Sequence, residues 1–78
     1  MTIHDIPLAM ARPGEMVTVI RARAGSGLQK RLADMGLTPG VQIKVVNCQM
    51  PGPVIIDLRG SRVALGRGIA QKIIVKEM

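Results

Sequence analysis

A chain of 78 residues can bury one hydrophobic core, since a second would take about 50 residues more, and its 47% hydrophobic and 21% charged residues describe a folded domain rather than a disordered tail. Phe, Trp and Tyr are absent, which removes the rings on which single-stranded nucleic acids stack and the ring-lined grooves that hold proline-rich peptides. The net charge of +6 favours anionic partners, whether phosphate backbones, an anionic lipid leaflet or an acidic protein face, although basic residues spread as evenly as Arg12, Arg21, Arg31, Lys44, Arg59 and Lys76 also suit a merely soluble surface.

The first residues carry neither a basic leader nor a sustained apolar stretch, and no run reaches the roughly 18 apolar residues that cross a bilayer. The expectation is one cytoplasmic domain over 1–78, with 1–6 mobile. Pro13-Gly14 signals a turn into a strand over Glu15–Arg23, EMVTVIRAR, which is rich in β-branched residues. Ser26 then stands as an N-cap before a short amphipathic helix that buries Leu28, Leu32 and Met35, with Gln29 in capping-box register. Gly36 supplies the left-handed residue that stops the helix, Leu37 folds back on the core, and Pro39-Gly40 forms the centre of a type II turn.

Val41, Ile43 and Val45 alternate with polar residues as a second strand. Met50-Pro51-Gly52-Pro53 turns the chain into a third, in which Val54, Ile56 and Leu58 share a face. Arg59-Gly60-Ser61 reads as a three-residue hairpin loop into a fourth strand with Val63 and Leu65. Ile69–Lys72 suits one 3₁₀ turn before a last strand over Ile73–Lys76. The pattern predicts a mainly β chain: a small barrel of about five strands that closes on itself, with one short helix and a 3₁₀ turn before the last strand.

Catalytic chemistry has no visible seat. His4, the single histidine, reads as a solvated terminal residue, Ser26 as a cap rather than a nucleophile, and the phosphate-loop spacing G-x-x-x-x-G-K-[S/T] does not occur. The possible metal ligands have no helical i, i+4 or C-x-x-C spacing, so transition-metal binding is expected to be weak, and neither a cofactor nor a small-molecule substrate is expected. Cys48, the lone cysteine, reads as a small, partly buried residue, and the six methionines as adaptable core filler.

RLADMGLTPGVQIKVV (Arg31 to Val46), followed by GPVIIDLRGSRVALGRGIAQKIIV (Gly52 to Val75), resembles the FeoA family of ferrous iron transport proteins. The pieces occur in family order: P-G, then R-L-x-x-M-G-L-x-P-G, then G-P, R-G and A-L-G-R. Ser26, Leu32, Gly36, Leu37, Pro39, Gly40 and Gly60 each have a structural task within this pattern. The resemblance implies an SH3-like barrel, a fold also used as the last domain of metal-dependent repressors. It further implies a cytoplasmic accessory of bacterial Fe²⁺ uptake that works by protein–protein interaction with FeoB, a membrane permease carrying a cytoplasmic GTPase domain. Fe²⁺ would then be the transported ion, not a bound cofactor, and recruitment to the anionic inner face of the membrane would be compatible with the charge. Lys30, Arg31 and Arg67 point outward in this reading and are the candidates for meeting an acidic face of the permease. A small basic barrel that binds nucleic acid, or a metal-regulator-like domain, is the alternative, and the missing aromatic residues weigh against nucleic acid.

Overall fold

The computed structural model describes residues 5–49 and 51–77; the readings of His4 as a solvated residue and of Met50 as a turn residue lie outside them. The elements in chain order are β1 (Asp5–Pro7), a 3₁₀ turn (Leu8–Met10), β2 (Met16–Ala22), α1 (Ser26–Asp34), β3 (Gln42–Asn47), β4 (Val54–Leu58), β5 (Ser61–Leu65), α2 (Arg67–Ala70) and β6 (Ile73–Glu77). All six strands form one antiparallel sheet in the order β1-β6-β2-β3-β4-β5. It is a mainly β fold, as the alternation of β3 to β5 predicts, and of the SH3-like barrel type that the resemblance implies.

Six strands stand where about five are expected. The additional one is β1, whose Asp5 and Ile6, both within the stretch expected to be mobile, pair with Lys76 and Val75 of β6. A strand of three residues that ends in Pro7 is too short to show a period, which is why pattern alone passes over it. The sheet also keeps two edges, β1 and β5, instead of closing completely.

The core gathers alternate residues of the strands: Val17, Ile43, Val45, Ile56 and Val75 are each 1% exposed or less. Leu8 in the 3₁₀ turn joins them at 0%. The stretch expected as a 3₁₀ turn, Ile69–Lys72, overlaps α2, a single α-turn bonded from Ala70 N–H to Gly66 O (2.9 Å) and from Gln71 N–H to Arg67 O (3.0 Å), and closes with one 3₁₀-type bond from Lys72 N–H to Ile69 O (2.9 Å).

α1 ends as its sequence predicts. Gly36 adopts φ +95°, Leu37 N–H donates to Leu32 O at 2.8 Å and Gly36 N–H to Ala33 O at 2.9 Å, the paired bonds of a Schellman cap, and Leu32 and Leu37 are both buried. The next turn also follows expectation, with Gly40 at φ +93° and Val41 N–H on Thr38 O at 3.1 Å. The start of the helix does not. Gly25 is the N-cap, extended and without a side-chain bond, and Ser26 is the first helical residue. Gln29 instead ties the preceding loop to the helix, its Nε2 donating to Ala24 O at 2.8 Å and, longer, to Ala22 O at 3.4 Å.

Met35 also departs from expectation. It is the C-cap residue and stays 41% exposed, because the chain leaves the helical path there before its side chain reaches the core. Finally, the β4–β5 loop has two residues, not three. Leu58 pairs directly with Ser61, and Arg59 (φ 54°) and Gly60 (φ 89°) form the type I′ turn that matches strand twist. Asp57 Oδ1 accepts Gly60 N–H at 2.8 Å and braces it.

Candidate docking surface

Lys30, Arg31 and Arg67 come from α1 and from the start of α2. Lys30 and Asp34 lie one helical turn apart and pair at 3.4 Å, with both side chains more than half exposed, a contact worth only a few tenths of a kcal/mol. Arg31 is exposed and lies one turn before Met35. Arg67 is different. Its Nη2 donates to Cys48 O (2.7 Å) and Gln49 O (3.1 Å), and its Nε to Gly52 O (3.2 Å), so its guanidinium collects the carbonyls of the β3–β4 connection.

The connection needs such a partner. β3 carries an irregularity between Val45 and Asn47, after which its carbonyls fall out of the ladder. Arg67 therefore reads as a loop clamp first. Its role is invisible in sequence because donor and acceptors lie 15 to 19 residues apart. Cys48 is partly buried against the core as expected, with its Sγ 2.9 Å from Ala11 O. Among the described residues, no three His, Cys, Asp or Glu side chains gather as a metal-binding group.

Two concavities flank α1. One, of about 200 Å³, is walled by Val19, Leu32, Ala33, Leu37 and Pro39, with Arg21 and Gln29 at its rim. The other, of about 240 Å³, lies between the end of α1 and the β4–β5 hairpin, and Met35, Gly36, Leu58, Arg59, Ser61 and Val63 line it. Neither holds a general base beside a nucleophile. Both offer apolar walls with cations at the margin, an arrangement that suits the apolar side chain of an acidic protein better than a reacting small molecule.

Sequence reasoning missed the second notch, because it assigned Met35 to the core and left Arg59 to a loop. The R-G turn that projects Arg59, and the arginine next to Met35 on α1, are the signals that could have exposed it. Among the described residues no carboxylate lies within 4.0 Å of the guanidinium groups of Arg31, Arg59 or Arg62.

Comparison with known proteins gives three findings. The family model described as the FeoA domain matches residues 6–77. A Methanocaldococcus jannaschii protein assigned as Fe(2+) transport protein A is 48% identical over 71 residues, covering 91% of this chain and 85% of that protein. Among solved structures, an iron uptake regulatory protein, FeoA, superposes with a TM-score of 0.86 at 33% identity, over 96% of this chain and 99% of its own. A manganese-dependent transcriptional repressor in complex with manganese gives the same TM-score, 0.86, at 24% identity and over 39% of its length, a likeness of fold alone.

Proposed function

Since the chain belongs to the FeoA family, whose business is ferrous iron transport, we propose that it serves Fe²⁺ uptake as a protein-interaction module without catalysis of its own. In this reading it works at the cytoplasmic face of the membrane and docks on a FeoB-like permease with a cytoplasmic GTPase domain. Fe²⁺ is then the cargo of the assembled system and needs no resident site in this chain.

The observation that supports the reading is the surface at the end of α1. An exposed methionine, Met35, and Arg59 line an open notch, and Arg59 has no carboxylate within 4.0 Å among the described residues. An interface with an acidic protein would use both the apolar side chain and the cation beside it.

The test is co-purification from membranes that contain the permease, together with Fe²⁺ uptake by the cells. Wild type should co-purify. A Lys30→Glu, Arg31→Glu variant should keep its circular dichroism spectrum, lose the permease and slow uptake. If wild type fails to co-purify, or instead binds duplex DNA with affinity falling about 0.9 log units per log of salt for each phosphate contact, the reading fails.

A further inference from the structure

We propose that the free edge of β5 is a strand-docking site for an extended, proline-free segment of an acidic partner in which apolar and acidic residues alternate. The proposal deepens the interaction-module reading and rests on it for the existence of a partner.

The register decides which backbone groups are free. Leu58 and Ser61 flank a two-residue type I′ turn and are paired, so theirs is the hydrogen-bonded kind of pair. Alternation along the ladder makes Ile56 with Val63, and Val54 with Leu65, hydrogen-bonded as well. Arg62 and Ala64, opposite Asp57 and Ile55, must then aim their N–H and C=O groups away from β4. β5 is the last strand of the sheet, and among the described residues no backbone bond from another loop reaches either one. Both residues are exposed. Two donors and two acceptors therefore stand in strand geometry with no neighbour, which is the template that an added strand completes.

Side-chain placement specifies the guest. Ser61, Val63 and Leu65 share the inner face of β5, with Leu65 buried and Val63 packed against the core. The notch lined by Met35, Leu58 and Val63 opens beside them on that face. An added strand would point every second side chain toward Val63 and the notch, where an aliphatic residue fits. Its other side chains would lie on the outer face beside Arg62, with Arg59 at the hairpin tip, where carboxylates fit. Asp57, opposite Arg62, is turned to Gly60 N–H and makes no ion pair within 4.0 Å among the described residues.

Charge also argues against a second copy as the occupant. The chain carries +6, and an isologous β5–β5 pairing would bring Arg62 of each molecule toward the other. Proline in the guest would remove the donor that the edge requires.

The probe is a synthetic peptide in which Glu and Val alternate over about nine residues, the upper range of an ordinary strand, with a Lys/Val peptide as control. The Glu/Val peptide should bind, shift the amide resonances of Arg62 and Ala64 and slow their hydrogen exchange; the Lys/Val peptide should not. Ala64→Pro deletes a donor that β4 does not use, so the domain should stay folded while affinity falls about tenfold or more. Should that variant unfold, Arg62→Glu combined with Met35→Glu, both at exposed positions, must show the same loss. Failure of the Glu/Val peptide to bind, shifts confined to another face, or undiminished binding by the folded variants overturns the proposal. So does a wild-type dimer that Ala64→Pro dissolves, which would assign the edge to a second copy. Permease co-purification separates the two readings: wild type and Ala64→Pro co-purifying equally sinks the edge alone, whereas peptide binding without any co-purification supports the edge and sinks the permease assignment.

Discussion

At one end of the sheet β1 offers three residues that finish in Pro7 and run straight into a 3₁₀ turn; at the other, β5 runs for five residues without proline and has no strand beyond it. The β1 end is finished in the manner expected of a protein that must not aggregate. Its strand is short, its last residue lacks a donor, and the following turn drives Leu8 into the core at 0% exposure. Arg21 of β2 reaches across β6 to Asp5 at 3.8 Å, over Ile74, which is buried yet outside the main core cluster. The β5 end has only one such device, the outward charge of Arg62. An edge blunted by a single sign of charge repels its own copy and stays open to the opposite sign. The difference teaches that the β1 edge is finished against pairing and that the β5 edge is available for contact.

The largest effect should come from undoing the closed end. Leu8→Ala removes a side chain that is fully buried, where such truncations cost about 2–5 kcal/mol. We expect a fall in the urea midpoint of that order. Val63→Ala at the open end, where the side chain is only partly buried, should cost well under half as much. Equal losses at the two positions would erase the distinction between the ends.

The next effect concerns Arg67, the candidate that structure converts from a docking residue into a clamp. Arg67→Ala frees the carbonyls of Cys48, Gln49 and Gly52, and with water able to replace part of the loss the cost should be about 1 kcal/mol. Faster amide exchange and proteolysis should be confined to residues 48–53, with binding of the Glu/Val peptide at the β5 edge unchanged. A protein of full stability that no longer binds would return Arg67 to the docking surface.

How much of this was legible beforehand follows the range of each interaction. Gly36, Leu37, Pro39 and Gly40 could be placed because a Schellman end and a type II turn are written in adjacent residues. The alternation of Val54, Ile56 and Leu58 likewise gave a buried strand face. Ser26 was misplaced by one residue because Gly25, with no side chain to bond through, takes the cap. The helical stripe overcounted at Met35, since a period says which face a residue is on and not whether the helix continues far enough to bury it. β1, the Arg67 clamp and the notch beside Val63 all depend on residues brought together by the sheet, and no local pattern encodes them. Lys30 and Arg31 were legible as exposed cations; that Arg59 lines the notch while Arg67 turns inward to clamp a loop was not.

The smallest effect returns to the closed side and is one of pH. Glu15, in the turn that enters β2, accepts Arg12 N–H on its Oε1 at 2.8 Å. That backbone bond is the main reason its carboxyl lies below the ordinary Glu value; a hydrogen bond with Glu77 and the charge of Arg12 act in the same direction, and desolvation opposes them. A lowered pKa in the folded state means that at mildly acidic pH the unfolded chain holds more protons at this position than the folded one. The contribution of Glu15 is therefore complete above the ordinary Glu range and is lost as pH falls through the folded value. Solvent around the turn keeps it small. Carboxyl titration by NMR should give Glu15 a midpoint below that of an unfolded reference peptide, and Glu15→Gln should lower stability slightly at neutral pH and match the wild type once pH has fallen below the folded value, so that the acid side of its profile is slightly flatter. Glu15 lies before β2, away from the β5 edge, so the variant should not alter peptide binding there. A midpoint at or above the ordinary Glu value would mean that the Arg12–Glu15 turn does not form in solution, and with it would go one of the contacts that set the closed end apart.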